Sequence, residues 1–239
     1  MRRWGSSAAV LAAVCAAALA ACASPAAAPS TSSPPGAAAT ATPGATEVTA
    51  SPSSADPSDA DWKTFTTSDG QLTFDYPAEW SIKDPAGEPA SGGVFVEVTN
   101  EAGKSMATLR TNMVTGAECT VKQPYAVYES EPLPALEQNG SVPRFVFEAR
   151  SDTSQTDPMK IDAFAYGITS APEPTGADAC PMFHFFAWPP SGAMFGGVYN
   201  PFDTTPGNPM HADTPEVYAT TSEFQDIRKM ITSLRPAGS

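Results

Sequence analysis

Between residues 23 and 60 the chain is built almost wholly from Ala, Pro, Ser, Thr and Gly, and this stretch decides where a fold can form. Its exceptions are Glu47, Val48, Asp56 and Asp59. Such a segment buries too little apolar surface to offset the entropy lost on ordering. Residues 22–60 therefore read as a disordered tether. As a flexible coil it spans roughly 30–40 Å, and drawn out in polyproline form it approaches ~120 Å. Its Ser and Thr beside Pro also match the composition of glycosylated stalks. The core must come from residues 61–239, a length that suits one domain.

Within that domain the hydrophobic pattern has the two-residue period of strands. Leu72, Phe74 and Tyr76 share one face of a first strand, and Trp80–Lys83 follows a turn at Pro77. Val94, Val96 and Val98 alternate with Phe95, Glu97 and Thr99, and 104–113 is a further strand. Phe145–Phe147 and Phe164–Ile168 are separated by the polar turn 151–158 and are expected to pair as an antiparallel hairpin. From Pro181 to Trp188 both alternating sets are apolar, which predicts a central strand covered on both sides. Met194–Tyr199 continues beyond a Pro-Pro-Ser-Gly turn. The one strong helical pattern is Phe224, Ile227, Ile231 and Leu234, with Met230 beside them. Ser222 and Gln225 match a capping box, Arg228, Lys229 and Arg235 suit the negative helix end, and Pro236 stops it. Thr214-Pro215-Glu216 opens an earlier helical turn. The expectation is an α+β domain: an antiparallel sheet with the C-terminal helix packed on it.

The chain starts with Arg2 and Arg3, then an apolar run from Ala8 to Ala21. That run is shorter than the ~20 apolar residues that a spanning helix needs. Residues 1–21 are expected to be a cleaved export signal. The run ends in Leu19-Ala20-Ala21-Cys22, which resembles the lipobox of bacterial lipoproteins. In that family the cysteine thiol carries diacylglycerol, and the resemblance assigns lipidation to Cys22. Each buried acyl CH₂ contributes roughly 0.8 kcal/mol, so two or three chains anchor where one does not. The expected location is the cell membrane, lipid-anchored on its extracytoplasmic face.

The chain carries 13 basic and 26 acidic residues, a net charge of −13. Removing the signal takes away Arg2 and Arg3 and no acid, which makes the mature chain more acidic still. Such a surface excludes nucleic acid and anionic lipid as partners; the first reading is that the acidity only keeps an exported chain soluble, the second that it selects a cationic partner, a divalent metal included. Cys15 falls in the signal and Cys22 takes the lipid. Cys119 and Cys180 remain, and in an oxidising compartment they are expected to form a disulfide.

Two stretches resemble a known family when taken together. One is Leu72-Thr73-Phe74-Asp75-Tyr76-Pro77-Ala78-Glu79-Trp80, a strand ending in Tyr-Pro-x-x-Trp. The other is the final helix from Phe224 to Ser233-Leu234. The pair is similar to the start and end of PsbP-like domains, including exported actinobacterial lipoproteins of that fold. The resemblance implies an antiparallel sheet sandwiched by helices, Tyr76 and Trp80 as core anchors, and action by binding. It brings no catalytic residues. Between residues 100 and 210 this sequence departs from the family in showing few helical patterns.

No GxSxG, HExxH, P-loop or GxGxxG motif is present, so no catalytic residue, metal ligand or cofactor is assigned. His184 lies in the most apolar segment and reads as a satisfied core histidine; His211 sits in a loop with no partner at metal-ligand spacing. Phe195, Tyr199 and Phe202 are candidates to line a groove, though a plain core explains them as well. The preferred function is a non-catalytic binding module for an envelope protein, a glycolipid or a small apolar ligand, bound through the sheet or the 189–210 loop. The alternative is a cell-envelope hydrolase with an acidic site.

Overall fold

A computed structural model describes residues 61–84, 92–114, 116, 118–203 and 214–239. The residues of the expected export signal and tether, with Cys22, and His211 lie outside them.

The chain runs through β1 (Trp62–Thr66), β2 (Leu72–Pro77), β3 (Ser81–Lys83), β4 (Phe95–Thr99), β5 (Ser105–Arg110) and β6 (Gln123–Pro132). It continues as β7 (Arg144–Ser151), the single turn α1 (Pro158–Ile161), β8 (Asp162–Thr169), β9 (Asp178–Ala179), β10 (Phe186–Trp188) and β11 (Ser191–Tyr199). The last elements are the short α2 (Pro215–Tyr218), α3 (Ser222–Thr232) and β12 (Arg235–Pro236). β1, β2 and β12 form a small sheet with β2 at its centre. The larger sheet has the order β3-β4-β5-β11-β8-β7-β6-β9, with β10 paired to β11. All pairings are antiparallel. The domain is thus mostly antiparallel sheet with few helices, of the α+β class.

The expected hairpin is present: Phe145 pairs with Ile168 and Phe147 with Tyr166. These side chains share the inner face of the larger sheet, where α3 and the small sheet cover them. Phe224 of α3 lies 4.9 Å from the Phe147 ring, and Phe74 of β2 lies 4.9 Å from Phe195. Phe224, Ile227, Met230 and Ile231 are all buried, as the helical spacing predicts. Each such side chain contributes roughly 1.5–3 kcal/mol of transfer free energy. Gly197 makes room in this layer. A Cβ there would lie 2.8 Å from the Tyr166 hydroxyl, which donates to the Met106 carbonyl at 2.7 Å.

The ends of α3 differ from the sequence expectation. The cap is Thr221, one residue earlier than Ser222, and its hydroxyl accepts from the Phe224 amide. Gln225 reaches back to the Ala219 carbonyl rather than closing a box. The helix ends at Thr232, before Pro236, because Arg235 and Pro236 are drawn into pairing with Thr73 and Leu72. Arg235 also binds both carboxylate oxygens of Asp75, at 3.0 and 3.2 Å. α2 is a separate turn capped by Thr214.

One strand assignment changes, and one strand, β6, is not expected from the sequence pattern. Pro181–Trp188 is not a central strand: only Phe186–Trp188 pairs, and only with β11. Residues 181–185 instead cross the outer face of the sheet, which is why apolar residues occur on both alternating sets. β6 carries no two-residue alternation; it pairs with β7 from Tyr125 to Pro132 through a bulge at Tyr128, and with β9 at Gln123 and Pro124. Trp80 is a core anchor, whereas Tyr76 is only half-buried.

Candidate functional site

The outer face of β7 carries Arg144, Val146, Glu148 and Arg150, one residue out of step with the aromatic inner face. A strap formed by residues 170–185 crosses it. The strap is fastened at both ends by backbone and hydroxyl contacts. Ser170 N donates to Phe185 O at 2.8 Å, and Thr169 Oγ1 donates to Phe183 O at 3.1 Å. Tyr125 Oη donates to Pro174 O at 3.2 Å, and Arg144 Nη1 donates to Ala171 O. Cys119 and Cys180 are joined as the cysteine count predicts, with Cα atoms 5.3 Å apart. The disulfide secures the strap beside β9, which adds to the edge of β6.

Under the strap lies an ionic cluster. Glu148 Oε1 is 3.0 Å from His184 Nε2, and Glu148 Oε2 accepts from Arg150 Nη1 at 3.0 Å. Arg150 Nε donates to Cys180 O at 2.7 Å. All three side chains are at least nine-tenths buried. Burial raises the Glu148 carboxyl, but the His184 hydrogen bond and the Arg150 charge outweigh it and hold the group below its ordinary value. His184 is therefore the satisfied, buried histidine that its setting predicts. It fits because Gly167 lies beneath it; a Cβ on Gly167 would come within 3.0 Å of the imidazole. A cleft of about 280 Å³ opens beside the cluster, with Lys122, Arg144 and Phe183 on its walls. Glu148, His184 and Arg150 are already paired with one another, and the covering strap is tied down by the disulfide and by hydrogen bonds along its length, which marks the cluster as a fastening.

The inner face ends differently. Past the reach of α3 a groove of about 450 Å³ opens between β6, the β7–β8 turn and the start of α2. Tyr128 and Phe164 form its floor, their ring centroids 6.4 Å apart. The β6 bulge takes Tyr128 out of the pairing register and presents its ring to this face. Phe202 stands on the wall and is 49% exposed, held by an Asx turn in which the Phe202 amide donates to Asn200 Oδ1 at 3.0 Å. The rings of Pro158, Pro201 and Pro215 complete the walls. The charged residues among the described lining are Asp162 and Glu216, both acidic. Burial first, and then these two carboxylates, push the Tyr128 phenol above its ordinary value.

Of the three aromatics singled out in the sequence, only Phe202 faces the groove. Phe195 is fully buried against Phe74, and Tyr199 stacks on Tyr218 at 3.9 Å. Tyr128 and Phe164 escaped notice as site residues, the first because β6 lacks a strand pattern and the second because it read as hairpin core. The available signal for the outer cluster was charge at Arg144, Glu148 and Arg150, all on the alternate set to Phe145 and Phe147. Among the described residues no three His, Cys, Asp or Glu gather as a metal site, and no helix is long and apolar enough to cross a membrane.

Compared with known protein families, with curated proteins and with solved structures, the chain matches none.

Proposed function

We propose that this protein is a lipid-anchored extracytoplasmic lipoprotein whose folded domain is a non-catalytic binding module. Cys22 holds it to the membrane, and residues 23–60 lift the domain away from the surface. The domain takes a small ligand with an apolar body in the groove floored by Tyr128 and Phe164. The observation that carries this reading is the groove itself: open aromatic surface at the end of a layer whose rings Phe145, Phe147, Tyr166, Tyr218 and Phe224 are buried. Its volume lies within the ~300–1,000 Å³ of small-molecule sites, and its few polar groups converge on an apolar floor. We further propose that the fold is a PsbP-like sandwich. In support, the two stretches that carry the resemblance meet in space, with the Asp75 amide donating to Ser233 Oγ at 2.8 Å.

Native mass spectrometry of the full-length protein, extracted from its own membrane, tests the binding reading. A stoichiometric ligand lost on Phe202→Ala supports it. A ligand retained by Phe202→Ala and Tyr128→Ala contradicts it. The buried Glu148–His184 contact is the feature that would serve a hydrolase. Turnover in an esterase and glycosidase panel that disappears in Glu148→Gln would replace binding with that reading. Cys22→Ala is expected to release the domain from the membrane fraction without unfolding it; retention in that fraction overturns the anchor.

A further inference from the structure

The groove at the end of the inner face combines three properties that together restrict its ligand. Its open surface is aromatic, from Tyr128, Phe164 and Phe202. Its charged lining, among the described residues, is Asp162 and Glu216, with no basic side chain to neutralise them inside the groove. The nearby cations are engaged elsewhere: Lys160 with Asp157 at 3.6 Å, and Arg228 with Glu129 and Glu131 at 2.9 and 2.7 Å. A neutral apolar ligand would use the rings and leave both carboxylates unused. An anion would be repelled by them. An organic cation uses both, because ring faces carry the negative end of their quadrupole and attract a cation within about 6 Å of the centroid.

We infer that the groove binds a free small organic cation, an ammonium group on an apolar body, seated over Tyr128 and Phe164 with Asp162 and Glu216 beside the charge. The placement of the acids supports this. Ser151 Oγ donates to Asp162 Oδ1 at 2.6 Å and fixes that carboxylate at the mouth of the β7–β8 turn. Glu216 stands in the first turn of α2, behind the Thr214 cap. The two carboxylates come from different elements, Asp162 from the start of β8 and Glu216 from α2, and both line the groove that Tyr128 floors. The acidity of the whole chain works in the same direction, by raising the local concentration of cations.

This inference rests on the groove being the binding site, and the experiment separates the two. Full-length protein in detergent micelles is titrated calorimetrically with choline and with 3,3-dimethyl-1-butanol, its uncharged isostere. Choline is expected to bind at least about tenfold more tightly. The Asp162→Asn, Glu216→Gln double variant is expected to lose that preference while keeping the isostere's affinity. Phe202→Ala is expected to weaken both probes, and its exposed position makes misfolding no explanation. Phosphocholine, which carries the same ammonium on an anion as a lipid headgroup does, is expected to bind more weakly than choline; equal or tighter binding overturns the free-cation assignment. If the isostere binds as well as choline and both respond to Phe202→Ala, the cation class is wrong and the groove stands. If neither probe binds at millimolar concentration, the cation class is wrong, and the groove is then judged separately by the mass-spectrometric ligand and its response to Tyr128→Ala.

Discussion

β7 presents two chemistries one residue apart. On its inner side Phe145 and Phe147 pack against Phe224, in a layer that also holds Tyr166, Tyr199 and Tyr218. On its outer side Glu148 and Arg150 pair with each other and with His184 of the strap. Apolar burial is non-directional and roughly proportional to area, so the inner layer supplies the larger share of cohesion and tolerates repacking. A buried ionic cluster gains little net stability, because desolvation of the charges offsets their attraction. Its geometry is demanding, however: Glu148 holds His184 and Arg150 holds the Cys180 carbonyl, and together they admit one position of the strap. The inner face holds the domain together, and the outer face determines where residues 170–185 lie.

This comparison can be broken from either side. Phe147→Ala removes the ring at the centre of the inner cluster and is expected to cost about 3–5 kcal/mol, read as a lowered midpoint in denaturant unfolding. Glu148→Ala is expected to cost a similar ~3–5 kcal/mol for another reason, since it leaves Arg150 buried and unpaired. The distinction appears in a rescue. Replacing Glu148, Arg150 and His184 together by apolar residues should recover most of that loss, whereas no apolar change on the outer face should rescue Phe147→Ala. Opening the Cys119–Cys180 disulfide, which closes a separation of 61 residues, is expected to cost about 2–4 kcal/mol. Its local sign is faster amide exchange in residues 170–185 while α3 is unchanged.

The smallest effect is a pH response, of one sign for the paired carboxylates Glu148 and Asp75 and of the other for the tyrosines of the inner face. Glu148 is held below its ordinary value of 4.5, and Asp75 below 3.8. For Asp75, burial acts upward and is outweighed by the hydrogen bonds from Arg235 and Thr64. Each carboxyl takes up its proton later in the folded protein than in the unfolded chain. Their stabilisation is complete at neutral pH and is lost as pH falls below about 4.5 and on through the folded values. On the inner face, burial pushes the Tyr166 and Tyr218 phenols above their ordinary value of 10.0, with the Glu223 carboxylate adding to both. Their stabilisation is complete below pH 10 and is lost as pH rises beyond it. Thermal melts across pH should show Glu148→Gln flattening the acid limb and leaving the alkaline limb in place.

How much of this was legible beforehand follows the same division. Period-two patterns located β2, β4, β7 and β8, and the helical spacing of Phe224, Ile227 and Ile231 located α3, because a one-sided apolar face leaves a periodic trace. β6 left none: its half-buried residues and its bulge at Tyr128 break the alternation. The strap misled for a related reason. Met182, Phe183 and Phe185 pack partly or remain open against a charged surface, so their apolar character did not report a sheet interior. The disulfide followed from counting cysteines. The groove did not follow from any local pattern, since Tyr128, Phe164, Phe202 and Glu216 are brought together by the bulge, the β7–β8 hairpin and the Thr214 cap.

The central claim is that binding occurs at the open end of the inner face and not beneath the strap. Hydrogen–deuterium exchange of the full-length protein with and without choline tests it most directly. The account predicts added protection in 125–129, 162–165, 200–203 and 214–218, with residues 170–185 unchanged. Protection gained along 170–185 with none at Tyr128, Phe164 and Phe202 would contradict it.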